Sequence, residues 1–193
     1  MLDSKARDLL EGVSSTAGRI VARTGLTPNA VTAGGLAVVV VAAWLVVQDR
    51  MVAGGVVLAA SGLFDFLDGA VARATGKASR MGAFLDSVTD RLTDGVILGA
   101  IVYALAQRGD EVGVALALAS LVLGGAVSYV RAKAESLGFD CKVGFAERAE
   151  RIIALIVGLV LSILTPVLAV LAVASAVTVV QRLVHVGRQA RAR

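Results

Sequence analysis

The chain has 193 residues, of which 57% are hydrophobic and 18% charged, and a formal net charge of +4. That is too apolar for an ordinary soluble domain and points to an integral membrane protein. A lone cysteine, Cys141, excludes an intrachain disulfide and a Cys-type zinc site, while scarce proline and no alternating ten-residue strands favour helices over a barrel.

Residues 3–23 read as an amphipathic helix. Leu9, Leu10, Val13, Ala17, Ile20 and Val21 form one face, with Lys5, Arg7, Arg19 and Arg23 elsewhere. Such a helix lies in the headgroup plane or caps the other helices. The first 25 residues mix charges with short apolar groups and do not read as a cleavable signal peptide. Gly25-Leu-Thr27-Pro28-Asn29 is a turn and a helix start, with Thr27 as cap and Pro28 in the first turn. That helix runs to about Val47, with Trp44 near its far end.

After Asp49-Arg50 a second apolar run extends from Val52 to Arg73, followed by a polar connector from Ala74 to Met81. A third run covers Gly82 to Ala106, and Arg108-Gly-Asp-Glu111 breaks the chain again. The fourth run, Val112 to Val130, continues into Arg131-Ala-Lys133-Ala-Glu135. Residues 136–151 read as a polar connector, Ile152 to Leu164 as the fifth run, Pro166 as a turn, and Val167 to about Val180 as the sixth. Gly34-Gly35 and Gly124-Gly125 read as helix-packing positions.

The expected fold is therefore an all-α integral membrane protein with six transmembrane helices and an N-terminal amphipathic juxtamembrane helix. It forms one domain over 1–193, with 1–26 juxtamembrane, 27–187 a six-helix bundle and 188–193 a basic tail. Six spans put both termini on one side of the membrane. Sixteen Lys and Arg fall on that side and only Arg50 and Arg108 on the other, which orients the termini toward the cytoplasm.

Four carboxylates interrupt the second and third runs. Asp65 and Asp68 are three apart and Asp86 and Asp90 four apart, spacings that put each pair on one helix face. A charge at membrane depth costs roughly 2.5–3.5 kcal/mol on insertion scales, so such acids share a cation, a proton or water. Paired acids on adjoining helices suit two bridged cations, and hard oxygen ligands around phosphates suit Mg²⁺, with Mn²⁺ an alternative. Gly69, Ala72 and Gly82 would let a substrate approach the backbone closely, and Arg73 could neutralise a phosphate.

The pattern Asp65-x2-Asp68-Gly69-x2-Ala72-Arg73-x8-Gly82-x3-Asp86-x3-Asp90 fixes eight positions over 26 residues. It resembles, without departure, the signature of the CDP-alcohol phosphotransferases, and the layout of the whole chain is similar to theirs. The resemblance implies transfer of a substituted phosphate from a CDP-linked lipid to an alcohol, with release of CMP. By motif position it makes Asp65, Asp68 and Asp86 ligands of two divalent metals, and Asp90 both general base and metal ligand. Thr27, Pro28, Asn29, Ala30, Gly69, Arg73 and Ser79 would contact the CDP-lipid. A homodimer is implied as well, and no nucleic acid.

Downstream, Ser128-Tyr129-Val-Arg131-Ala-Lys133-Ala-Glu135, Gly144-Phe-Ala-Glu147-Arg148-Ala-Glu150-Arg151 and Gln181-Arg182 resemble the branch of that family that makes phosphatidylinositol phosphate. That resemblance implies inositol 1-phosphate as acceptor, its phosphate held by Arg131, Lys133, Arg148, Arg151 and Arg182. Guanidinium binds phosphate bidentately, so the chemistry agrees. Glycerol 3-phosphate satisfies the same charge logic. Topology alone also explains basic residues near a membrane surface.

Other residues carry blander expectations. Asp94, one turn beyond Asp90, pairs with Arg91 or solvent in preference to supporting a metal ligand. Glu147 and Glu150 order the arginines, His185 is interfacial, and Cys141 is an incidental thiol. The rival from another class is a cation or proton transporter using the same acids; a non-catalytic scaffold would leave their cost unexplained.

Overall fold

The computed structural model describes residues 28–75 and 79–191, and among these the backbone forms six helices and no strand. They are α1 (Pro28–Val47), α2 (Met51–Thr75), α3 (Arg80–Gln107), α4 (Glu111–Ser136), α5 (Arg148–Val160) and α6 (Leu164–Arg191). The expected juxtamembrane helix over 3–23, and Thr27 with it, lie outside the described residues.

Among the described residues, three helices are long and apolar enough to cross a membrane: the Ala30–Val47 part of α1, α4 and α6. In α2 the stretch without charge runs from Met51 to Phe64, where Asp65 ends it and Asp68 and Arg73 follow. Arg80, Asp86, Asp90, Arg91 and Asp94 break up α3 in the same way. Helix α5 has 13 residues, about 20 Å at 1.5 Å per residue, against a hydrocarbon core of about 30 Å.

Two boundaries differ from the sequence expectation. The connector before α5 ends at Glu147, and Arg148 to Arg151 form the helix's first turn. Charge made that turn look like loop, yet Arg151 is buried. The break between α5 and α6 lies at 161–163, with Ser162 at φ 57°, and Pro166 sits in the first turn of α6, where its missing N–H costs nothing. Helix α6 then runs eleven residues past Val180 to Arg191.

The described chain divides into two compact units. In the first, residues 28–41 and 57–93, Gly34 on α1 faces Phe64 on α2, so closely that a Cβ at Gly34 would come within 3.2 Å of the ring. Val31, Val39 and Leu58 are buried there, and Ser61 satisfies its hydroxyl on the Leu58 carbonyl at 2.7 Å.

In the second unit, residues 42–56 and 94–191, α4 and α5 both pack on α6. The buried stripe of α4 is Gly113, Ala117, Ser120, Gly124 and Val127, mostly small residues that let a neighbouring backbone approach. The buried stripe of α6 is Leu168, Leu171, Ala172, Ser175, Thr178 and Arg182, apolar at one end and polar at the other. Outward, by contrast, α6 presents Val170, Val173, Val177 and Val180. Polar inside and valine outside is the arrangement suited to a lipid solvent, where water does not reward exposed polarity.

One end of this unit is tied by side chains. Arg108 Nε donates to Asp49 Oδ1 at 2.7 Å, joining the α1–α2 turn to the α3–α4 turn. Asp110 caps α4 by accepting from the Gly113 N–H at 2.7 Å and also accepts from the Thr165 hydroxyl at 2.7 Å, reaching α6.

Candidate active site

Asp65 and Asp68 lie on α2 and Asp86 and Asp90 on α3, so both pairs have the helical spacing that places them on one face. Gly69 and Arg73 continue α2 by one turn. The side chains of residues 65–78 lie outside the described set. Among the described acids, Asp86 is exposed and Asp90 half-buried. The backbone carbonyl of Asp90 accepts from the Thr93 hydroxyl at 2.8 Å. Pro28, Asn29 and Ala30 form the first turn of α1. Ser79 precedes α3 and caps it: its Oγ accepts from the Gly82 N–H at 3.0 Å.

The second unit gathers four of the five predicted acceptor-binding residues around two carboxylates. Glu147 Oε1 accepts from Arg131 Nη1 at 2.9 Å and lies 3.3 Å from Arg182 Nη2. Asp94 Oδ2 accepts from Arg151 Nη2 at 2.7 Å, and Asp94 Oδ1 lies 3.7 Å from Arg148 Nε. Lys133 is exposed in the last turn of α4. Arg131 also pairs with Glu135 at 3.0 Å.

Among the described residues, Arg182 is the largest fully buried side chain, at 1% exposure. Its Nε donates to the Val143 carbonyl at 2.9 Å and its Nη1 to the Val127 carbonyl at 2.6 Å. One side chain on α6 thus ties α4 to the connector before α5. Buried charges must be paired and hydrogen-bonded, and Arg182 meets both conditions. Gly144, at φ +100°, lets the same connector lie directly on Thr178, whose hydroxyl accepts from the Ala146 N–H at 3.2 Å. Cys141 in this connector is fully buried, and burial raises its thiol above the usual range.

Asp94 is the correction. Its partners are Arg151 and Arg148 of α5, neither Arg91 nor solvent; Arg91 bonds instead to the Ser87 carbonyl one turn back. The expectation that Glu147 orders arginines holds, through Arg131 and Arg182. The sequence around Asp94 names Arg91, solvent or the neighbouring acids as its company, and nothing local in it names α5. Its one usable signal was its position on the face of Asp86 and Asp90. His185 is half-buried and lines an open groove of about 850 Å³ with Phe145, Val180 and Arg188, among whose lining residues no carboxylate or thiol is found.

A family model described as CDP-alcohol phosphatidyltransferase matches residues 25–181. Archaetidylinositol phosphate synthase of Methanothermobacter thermautotrophicus is 40% identical over 173 residues, 86% of each chain. The crystal structure of Mycobacterium tuberculosis phosphatidylinositol phosphate synthase with CDP-DAG bound is similar at TM-score 0.85 and 36% identity, covering 90% of this chain and 93% of that one. A second structure of that synthase, in complex with manganese and citrate, gives TM-score 0.83 and 36% identity over 90% of this chain and 88% of that one.

Proposed function

Because the chain belongs to the CDP-alcohol phosphatidyltransferase family, we propose that it transfers the phosphatidyl group of CDP-diacylglycerol to a hydroxyl of inositol 1-phosphate, releasing CMP. It is a membrane transferase of phospholipid synthesis. The observation that carries the choice of acceptor is the approach of Arg131 and Arg182 to a single oxygen of Glu147, with Arg148 and Arg151 around Asp94. So many guanidinium groups close together suit a phosphorylated acceptor and not serine or choline. The names of the two relatives differ in their lipid, archaetidyl against phosphatidyl, and agree on inositol phosphate.

In this reading Asp65, Asp68, Asp86 and Asp90 hold two divalent cations, Mg²⁺ or Mn²⁺. An all-carboxylate donor set at helical spacing fits such ions, and the manganese-bound neighbour supports it. Bound cations would draw charge from the diphosphate. Asp90 takes the proton of the acceptor hydroxyl. The hydroxyl oxygen forms a bond to the lipid-bearing β-phosphorus, the bond from that phosphorus to the bridging oxygen breaks, and CMP leaves with the electron pair. Pro28, Asn29, Ala30, Gly69, Arg73 and Ser79, with Thr27, contact the cytidine diphosphate. Arg131, Lys133, Arg148, Arg151 and Arg182 receive the acceptor phosphate. Holding both substrates in line supplies much of the rate.

The same reading takes all six helices as membrane-associated, with the acids of α2 and α3 and both termini facing the cytoplasm at the cell membrane. It takes 1–26 as juxtamembrane, 27–187 as the catalytic bundle, 188–193 as a basic tail, and the protein as a homodimer. The test is CMP release from CDP-diacylglycerol by purified protein with Mg²⁺, comparing inositol 1-phosphate, glycerol 3-phosphate, free inositol and serine. Release with inositol 1-phosphate alone is the expected result. Release with glycerol 3-phosphate alone would keep the chemistry and replace the acceptor. Ion flux in proteoliposomes without CMP formation would overturn the reading in favour of a transporter.

A further inference from the structure

Asp94 is 16% exposed and engages α5 with both oxygens. Oδ2 accepts from Arg151 Nη2 at 2.7 Å. Oδ1 is buried without a hydrogen-bond partner among the described residues and lies at ion-pair distance, 3.7 Å, from Arg148 Nε. Arg151 is held on two further sides. Its Nη1 donates to the Ala146 carbonyl at 3.1 Å, and its Nε lies against Gly124 of α4, where a Cβ would stand 3.0 Å away. A carboxylate, a carbonyl and a glycine therefore fix one guanidinium, which still has N–H groups beyond those two bonds.

The geometry points to Asp94 as a positioning residue for the acceptor phosphate: it holds Arg151 and Arg148 in the orientation that receives the anion. This deepens the proposed function and rests on the acceptor carrying a phosphate. A guanidinium already fixed by packing and hydrogen bonds binds an anion without a further ordering cost. Losing the partner of a buried arginine leaves it to re-pair with whatever carbonyl or water it can reach, which turns its fork away from the anion. Asp94 itself touches no substrate in this account.

The test uses full-length wild type, Asp94→Asn and Asp94→Glu in detergent micelles. CMP release is measured at varied inositol 1-phosphate and varied CDP-diacylglycerol, and calorimetry measures binding of inorganic phosphate. Asp94→Asn should raise the acceptor KM by about tenfold or more, as removal of an orienting partner does elsewhere. The CDP-lipid KM should stay within about twofold, which separates lost acceptor binding from general damage. Asp94→Glu should recover part of the loss. Gly124→Ala, which pushes on Arg151 and leaves Asp94 in place, should raise the acceptor KM in the same selective way. An unchanged acceptor KM in Asp94→Asn, or an equal rise in both KM values, overturns the inference. Wild-type protein that ignores inositol 1-phosphate refutes the functional reading instead. In that case the calorimetry still decides Asp94: weakened phosphate binding in Asp94→Asn supports its role and unchanged binding refutes it.

Discussion

Replacing Arg182 tests the buried polar end of α6 most directly. Arg182→Leu removes donors to the Val143 and Val127 carbonyls, at 2.9 and 2.6 Å, and the charge partner of Glu147 at 3.3 Å. Hydrogen bonds from a charged group are worth about 1.5–3 kcal/mol each. They do not add fully, because the leucine no longer carries the guanidinium's desolvation penalty. Glu147 is half exposed and keeps Arg131, so the loss is mainly of the two hydrogen bonds to carbonyls, and we take about 3–5 kcal/mol as the net. At this chain length each kcal/mol lowers Tm by roughly 2–4 °C, so a fall of about 6–20 °C is expected. Cys141 supplies the assay: the chain has one cysteine, and it is fully buried in the connector that Arg182 pins. A thiol-reactive dye therefore reports release of that connector on heating, and circular dichroism of the same sample reports loss of helix. Arg182→Lys keeps the charge without the fork and should fall between wild type and leucine. If both variants keep the wild-type dye midpoint, the guanidinium does not hold the connector and the energetic argument fails.

The other expectations are narrower. Hydrogen bonds from Thr165 and then Gly113 hold the Asp110 carboxyl below its usual value of 3.8. Because the folded value is the lower one, the stabilisation is complete above the unfolded value and vanishes as pH falls through the folded one. Thr165→Val should therefore lower Tm at pH 7 and lower it less in strong acid; a gap independent of pH would contradict this. Gly144→Ala puts a Cβ onto Thr178 at a residue with φ +100°, and should cost about 2–4 kcal/mol, read as a lower Tm and yield. Asp90→Asn should keep CDP-lipid binding and abolish CMP release, and normal turnover would remove Asp90 from the role of base.

The sequence and the structure agree where a local rule decides. The helices fall where the apolar runs fall, because an apolar run of that length has few other ways to satisfy its backbone in lipid. The acids of α2 and α3 stand out in the sequence by their spacing, and the structure gives that spacing a helical backbone. What was not legible depends on distance along the chain. Asp94 meets Arg151 across 57 residues, and nothing in either segment names the other. Local reasoning offered Arg91, three residues earlier, which bonds its own helix. Charge misled at Arg148–Arg151, where a loop was expected and a helical turn with a buried arginine is found. Hydropathy misled at the end of α6, since a helix needs no apolar residues to continue once nucleated.

The placement of Arg182 has a consequence for biosynthesis. Its acceptor on α4, the Val127 carbonyl, lies 55 residues earlier in the chain. At about 5–20 residues per second, translation leaves that carbonyl waiting roughly 3–11 s for its donor. During that interval the carbonyl keeps its bond within α4, and only its second lone pair goes without the guanidinium. The polar end of this unit therefore locks late, after the segments it joins have been made.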